Sequence, residues 1–241
     1  LIWDVETSTL NLSIDTYSLK NYTKYYNPDD ITRDWVMLGA AWKLLGEQVR
    51  CVSVSSKDPL NDYMVIKTLH EQLEAADILV GHNADRFDIR KFNTRALFYD
   101  LPPITKKKTI DTLKIAKKYF GFTSNKLSFI AKHLKLDIQK DESPDWGKIL
   151  TGCPDELAYM RKYNKKDVCV NELIYLKLRP YIDNHPNVNI YSPQAEQRKG
   201  CCPSCGSHDT YKKGFRRSET TGKITGQRMR CKSCRRMFMS K

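Results

Sequence analysis

Four carboxylates and one tyrosine are spaced as a metal-dependent site would need them. Asp4 and Glu6 stand two apart in the opening run Leu-Ile-Trp-Asp-Val-Glu. On a strand that spacing sends both side chains to one face of the sheet. Two acids in an otherwise apolar strand are costly to bury unless positive charge neutralises them; the alternative is a strand end where they simply reach water. Asp88 closes Gly81-His82-Asn83-Ala84-Asp85-Arg86-Phe87-Asp88. There Phe87 is expected to turn into the core and hold Asp88 at the sheet edge, although the helix dipole alone also favours an Asp in a first turn. Tyr163 and Asp167 are four apart and share a helix face, which continues through Met160, Val170 and Ile174. An acid on a packed face needs a partner. Read together, the four acids converge on one sheet edge, and hard oxygen ligands gathered this way suit Mg²⁺ or Mn²⁺ rather than zinc.

A second constellation lies at the C-terminus. Five of the eight cysteines cluster there, and Cys202-Pro-Ser-Cys205 and Cys231-Lys-Ser-Cys234 form two Cys-x-x-Cys pairs with 25 residues between them. Tetrahedral thiolate coordination needs two such pairs brought together from the ends of a hairpin. Gly206, and Arg235-Arg236, fit the turns that follow each pair, and Thr210-Tyr211 and Gln227-Arg228-Met229-Arg230 can form the intervening strands. The arrangement looks like a zinc ribbon holding one structural Zn²⁺. So small a module has little core, so the metal would supply its folding free energy. Cys201 is too close to Cys202 to share the same knuckle, and His208 is the alternative ligand. Cys51, Cys153 and Cys169 are expected to be buried free thiols.

The elements that must position these groups follow from periodicity and turn residues. Residues 1–6 read as a buried strand and 11–34 as an irregular excursion. Val36–Leu45 and Gln48–Val54 read as a hairpin turning near Gly46. Helical spacing runs over 60–75, a short strand over Asp77–Gly81 and a helix from about Asp85 to Phe98. Pro102-Pro103 precedes a short segment to Ile110, and Asp111 is expected to cap a helix over Leu113–Tyr119. Leu127–Leu134 reads as a helix, 137–148 as an acidic loop and Pro154–Leu178 as a long helix. His82 reads as a structural turn residue. The result is an α/β fold, a mixed sheet with flanking helices, joined to a small β module. The expected domains are 1–180, a linker over 181–199, and 200–241.

Asp4-Val5-Glu6-Thr7, Asn83 with Phe87-Asp88, and Tyr163-Asn164-Lys165-Lys166-Asp167 resemble, in order, the three motifs of the DEDD family of 3′→5′ exonucleases. That family includes polymerase proofreading domains. The Tyr-x-x-x-Asp form resembles its tyrosine subclass, and the segment from Asn125 to Lys132 is similar to the helix between the second and third motifs. The resemblance spans residues 1 to about 178. It implies a ribonuclease H-like fold in which Asp4, Glu6, Asp88 and Asp167 hold two Mg²⁺ or Mn²⁺ ions for an in-line phosphodiester hydrolysis. Tyr163 would then orient the attacking water. Thr7 would offer its hydroxyl or backbone N–H to the terminal nucleotide, and Asn83 would order the scissile region; a plain turn residue and a local Asx-turn are the respective alternatives.

Charge points to the same partner. The formal net charge is +13, yet residues 198–241 hold 13 Lys/Arg against 2 Asp/Glu, so the first 197 residues are nearly neutral. Lys212, Lys213, Arg216, Arg217, Arg228, Arg230, Arg235 and Arg236, interleaved with Tyr211, Phe215 and Phe238, fit a surface that contacts phosphates and stacks on bases. A charged face that only solubilises the module, or one that docks replication or recombination proteins, is the alternative. The expected substrate is single-stranded or frayed DNA. An RNA exonuclease, a structure-selective endonuclease and an inactive nucleic-acid-binding adaptor remain alternatives. No run of about 18 apolar residues marks a membrane span, and no secretory pattern opens the chain at Leu1. The expectation is an intracellular protein, in the cytoplasm of a prokaryote or phage-infected cell.

Overall fold

The fold is described from a computed structural model, over residues 1–13, 28–136, 142–183, 185–186 and 201–240. It is mixed α/β, with a five-stranded sheet of order β5 (Arg50–Ser53), β4 (Met37–Lys43), β1 (Ile2–Thr7), β6 (Ile78–Gly81) and β7 (Lys108–Asp111), and two smaller sheets. The chain divides into two compact units: Leu1–Ala75 with Ala84–Thr105 and Gln139–Cys169, and Ala76–Asn83 with Lys106–Ile138 and Val170–Lys241.

In the first unit, β1 (Ile2–Thr7) lies antiparallel to β4 (Met37–Lys43), which lies antiparallel to β5 (Arg50–Ser53). Gly46 turns the β4–β5 hairpin with φ 79°, a left-handed conformation that glycine adopts without a Cβ penalty. β4 is buried along its whole length, as a strand covered on both faces must be. Helix α1 (Tyr63–Ala75) buries Val65, Ile66, Leu69 and Leu73 and packs against β4 and β5. Helix α2 (Asp88–Phe98) packs against α1 and β4. A guanidinium clamp ties these pieces together. Asp62, fully buried, accepts from Arg95 Nε at 2.7 Å, Arg95 Nη2 at 2.5 Å, the Tyr99 hydroxyl at 2.6 Å and the Met37 backbone N–H at 2.8 Å.

The register of β1 on β4 sets up the acid face. Asp4 pairs with Ala41 and Glu6 with Gly39, so the acids share their face with the two smallest residues the strand could offer. Helix α6 (Pro154–Leu178) uses that space. A Cβ on Gly39 would lie 3.0 Å from the Met160 terminal methyl and 3.1 Å from the Val52 carbonyl oxygen. Arg161 Nη1 also donates to Ser53 Oγ at 3.1 Å. The helix is therefore drawn close over β4 at the height of Glu6.

In the second unit, β6 (Ile78–Gly81) and β7 (Lys108–Asp111) are parallel. Asp111 caps α3 (Thr112–Tyr119), its carboxylate accepting from Leu113 N and Lys114 N, as the sequence indicates. Helix α4 spans Leu127–His133. Beyond α6 a 3-10 turn, Arg179–Tyr181, leads towards a three-stranded antiparallel sheet of β8 (Thr210–Arg217), β9 (Ile224–Cys231) and β10 (Met237–Ser240). Among the described residues no helix is long and apolar enough to cross a membrane.

Several expectations are corrected. The excursion over 11–34 contains a small antiparallel sheet, β2 (Asn11–Leu12) with β3 (Ile31–Arg33), after a 3-10 turn at Pro28–Asp30; residues 14–27 of it lie outside the described residues. The acidic stretch 137–148 is not all loop. Asp145 caps a short helix, α5 (Trp146–Leu150), by accepting from Lys148 N at 3.2 Å; residues 137–141 lie outside the described residues. The strands of the C-terminal module are longer than expected and β10 was not foreseen, because its Met-Phe-Met run is too short to show alternation. Cys51, Cys153 and Cys169 are half-buried rather than buried. Most of the linker expected over 181–199 lies outside the described residues.

Candidate functional site

The acid cluster is built within the first unit from a strand, a helix start and a helix middle. Asp4 and Glu6 come from β1, and Asp167 comes from α6, two turns beyond Met160. Asp4, Glu6 and Asp167 each offer a carboxylate oxygen within 4.8 Å of the others. Asp88 is not in that group of three. It opens α2, is 3% exposed, and its Oδ1 accepts from the Val5 backbone N–H at 3.1 Å. That bond holds Asp88 against the strand segment between Asp4 and Glu6, close enough for its charge to act on both.

The electrostatics are those of negative charges forced together. Burial first, then the charges of Asp88, Glu6 and Asp167, push Asp4 well above the usual carboxylate range. Glu6 is pushed up to about 8, by burial and then by Asp167 and Asp88. The amide of Asn164 works against this on both acids, and its Nδ2 donates to Asp4 Oδ2 at 2.8 Å. Tyr163 is also raised, by burial and then by Asp167, Glu6 and Asp4, and hydrogen-bonds Asp167. Its hydroxyl therefore keeps its proton at neutral pH. Carboxylates whose mutual repulsion is relieved by one amide fit a site for hard divalent cations.

Thr7 ends β1 opposite Met37, just past an irregularity in the register at Glu6. Asn83 lies in the second unit at φ 68°, and its backbone N–H donates to Asp111 Oδ1 at 2.9 Å. His82 hydrogen-bonds Thr112 Oγ1 at 2.9 Å and the Asn125 carbonyl at 2.9 Å. With both ring nitrogens engaged and burial lowering its pKa, His82 is a structural residue.

Sequence reasoning missed three groups. Asn164, 2% exposed, was visible only as a letter between Tyr163 and Asp167. The other two come to light through a correction at Phe87, which does not enter the core and is 41% exposed. The core position along α2 is taken by Phe92, fully buried, and Phe87 instead precedes the helix. The Lys91 ammonium sits 3.6 Å from the centroid of the Trp35 ring and 5.8 Å from that of Phe87. Trp35 neighbours Val36, which exchanges hydrogen bonds with Ser8 just past β1. Two aromatic rings and a cation thus meet beside the start of α2, which Asp88 opens, and no sequence pattern joins them.

In the second unit, Cys202, Cys205, Cys231 and Cys234 bring their sulfurs within 4.8 Å of one another. The pairs Cys202–Cys234 and Cys205–Cys231 are 3.5 Å apart, near the ~3.8 Å that tetrahedral Zn–S bonds of about 2.3 Å imply. Gly206 (φ 72°) and Arg235 (φ 60°) supply the left-handed residues that turn each knuckle. The Cys234 thiol, hydrogen-bonding Cys202, pushes the Cys202 thiol down to about 5, while Cys234 itself is pushed up. His208 stands beside Cys201 Sγ at 3.2 Å and is outside the group of four. Lys212, Lys213, Arg216, Arg217, Arg228 and Arg235 are exposed. Arg230 is half-buried, with Nε donating to the Arg235 carbonyl at 3.3 Å, and Arg236 is turned inward onto the carbonyls of Ile182 and Asp183.

Comparison with known proteins agrees with this architecture. Among curated protein sequences none matches the chain. Among solved structures, the family B DNA polymerase of the hyperthermophilic archaeon Pyrobaculum calidifontis is similar in fold, with TM-score 0.54 and 15% identity over 74% of this chain. The match takes up 24% of that polymerase, so this chain spans about a quarter of its length. The sequence profile of the RNase H superfamily matches residues 29–179, which take in Asp88, Tyr163 and Asp167 and stop before the cysteine module. By that match, over more than half its length, the chain belongs to the RNase H superfamily.

Proposed function

We propose that this protein is a divalent-metal-dependent 3′→5′ exonuclease acting on single-stranded or frayed DNA ends, of the tyrosine subclass of the DEDD family. The observation that carries the reading is the meeting of Asp4, Glu6 and Asp167 within 4.8 Å, with Asp88 fixed on the adjoining backbone. RNase H superfamily membership supports nuclease-type chemistry on the same fold. Bound Mg²⁺ or Mn²⁺ would supply Lewis-acid charge to the phosphodiester and to the attacking water. Asp4, Glu6, Asp88 and Asp167 are the ligands offered. Asn164 holds the Asp4 carboxylate in place. Tyr163, protonated and bonded to Asp167, orients the water rather than taking its proton. Thr7 and Asn83 are assigned to the terminal nucleotide and its surroundings, and the exposed Phe87 with the half-buried Trp35 and Lys91 offers stacking and phosphate contact nearby.

The cysteine module is read as a zinc ribbon, residues 200–241, joined by a linker over 181–199 to a nuclease domain over 1–180. Its exposed cations are assigned to phosphates. Replacing Lys212, Lys213, Arg216 and Arg217 by Ala should flatten the salt dependence of single-strand binding by about 0.7 in the logarithmic slope for each lost contact. An unchanged slope would return those cations to solubility alone.

End-labelled DNA and RNA strands incubated with Mg²⁺ or Mn²⁺ test the whole reading. Stepwise loss from the 3′ end of DNA is expected, and it should vanish in Asp167→Ala. Full activity in that variant rejects the site; internal cuts or a preference for RNA reject the mode or the substrate.

A further inference from the structure

The four sulfurs are one half of a charge arrangement whose other half lies outside the ribbon's strands. Arg179, in the turn that continues α6, is 5% exposed. Its Nη2 donates to the backbone carbonyl of Ser204, which lies between Cys202 and Cys205 in the first knuckle. Among the described residues its Nε has no hydrogen-bond partner, nor has the buried Ser204 hydroxyl. From the second knuckle, Arg236 donates through both terminal nitrogens to the carbonyls of Ile182 and Asp183, just past the same turn. Tyr175, on the last turns of α6 and 5% exposed, has the Arg179 guanidinium 5.5 Å from its ring. The same tyrosine lies in the field of Cys205, Cys234 and Arg236, which puts both guanidiniums and the thiols in one neighbourhood.

A guanidinium this deeply buried is expensive unless a negative charge compensates it. The partners of Arg179 among the described residues are a carbonyl and an aromatic ring, both neutral. The carboxylate of Asp183 is engaged elsewhere, with Lys118 at 3.1 Å and with the Tyr119 hydroxyl, in an exposed ion pair. Four thiolates around one Zn²⁺, by contrast, carry a net charge of −2, which two guanidiniums would cancel.

We infer that Arg179 and Arg236 are the counter-charges of a tetrathiolate zinc centre, so that loading the metal and seating the knuckles on the C-terminal end of α6 are one thermodynamic event. This rests on the zinc reading of the four cysteines. With zinc, the buried cation faces a dianion. Without it, the same cation faces the lowered Cys202 thiol in place of a dianion, and the seated arrangement loses part of its electrostatic support.

Zinc affinity measured on the full chain by competition with a chromogenic chelator tests the coupling. Arg179→Met should bind zinc about ten- to a hundredfold more weakly, the range over which outer-sphere partners act, while Arg179→Lys, which keeps the charge, should recover part of the loss. Lys232→Ala, which breaks only the exposed ion pair to Asp209 at 2.9 Å, should stay within twofold. A second readout is hydrogen exchange at Ile174–Leu178. Chelation of the unmodified chain should speed it, and zinc-loaded Arg179→Met should resemble the chelated protein. Should Arg179→Met not fold, the half-buried Arg236→Met carries the same two measurements. Equal zinc affinity in charged and neutral variants, or exchange indifferent to chelation, overturns the coupling. A chain that takes up no zinc in any form overturns the zinc reading itself, a distinct result.

Discussion

Among its described residues the first unit holds acid away from water in two places, and the two are handled oppositely. Asp62 is fully buried, and a guanidinium, a phenol and a backbone N–H all point at it. Asp4 and Glu6 are surrounded by other acids, with one amide offered in return. Both arrangements cost desolvation, but among the described residues only Asp62 has a cation hydrogen-bonded to it to offset that cost. Asp62 thereby does structural work, tying β4, α1 and α2 together. The acids of β1 keep a mutual repulsion that one amide does not cancel, which is the condition a divalent cation would relieve.

Exchanging the roles of the two places is the strongest way to break this comparison. Asp4→Asn should lower nuclease turnover by about a thousandfold or more, because a lost metal ligand forfeits several kcal/mol of transition-state stabilisation. Without divalent ions it should nevertheless match or exceed the unmodified chain in thermal stability, having shed one repelling charge. Asp62→Asn should do the reverse. It leaves the half-buried Arg95 without its charge partner, costs about 3 kcal/mol of stability, the low end for a buried pair, and, below its melting temperature, leaves turnover close to normal. Denaturant melts and turnover on the same preparations decide both, and an Asp4→Asn as unstable as Asp62→Asn would erase the distinction.

The sequence carried one of these places and not the other. Asp4, Glu6 and Asp167 were legible because two local periods, two on a strand and 3.6 on a helix, fix which way each acid faces. Asp62 was not singled out, since its partners Arg95 and Tyr99 lie more than 30 residues on and no local period links them. The same limit hid Trp35 beside Lys91. Phe87 was misread because an aromatic beside a buried acid reads as core, whereas the chain makes an extra turn before α2 and leaves the ring outside. The long helix was legible to its ends, since Pro154 marks its first residue. The meeting of the two cysteine pairs was legible through their spacing, but the inward turn of Arg236 depends on contacts with Ile182 and Asp183 that no spacing announces.

Gly39 sharpens the comparison from the side of packing. If α6 delivers Asp167 and Asn164 by lying close over β4, a methyl group at Gly39 should lift it. Gly39→Ala would place a Cβ 3.0 Å from Met160 and 3.1 Å from a backbone oxygen, and the second of these cannot swing aside. Overpacking of this kind costs about 1–3 kcal/mol, and activity should fall along with stability. Pairing it with Met160→Ala, which removes the movable neighbour, should restore part of both. Stability lost without any change in activity would show that the helix need not lie so close for the acids to meet.

The smallest effect expected is also the most direct measure of uncompensated charge. Glu6 sits at about 8 in the folded chain against roughly 4.3 for an exposed glutamate, and Asp4 is raised as well. Between those values the folded state holds more protons than the unfolded one, so stability must fall as pH rises through the window. In chelator, the melting temperature should therefore decline from about pH 5 towards pH 8. Added Mg²⁺ or Mn²⁺ should reverse the decline, and by more at pH 8 than at pH 6, since the ions compete with protons for the same oxygens. Asp4→Asn should flatten the slope in chelator and shrink the metal-dependent gain. A melting temperature in chelator that climbs steadily from pH 5 to pH 8 would mean that the β1 acids are paired after all, and the contrast with Asp62 would disappear.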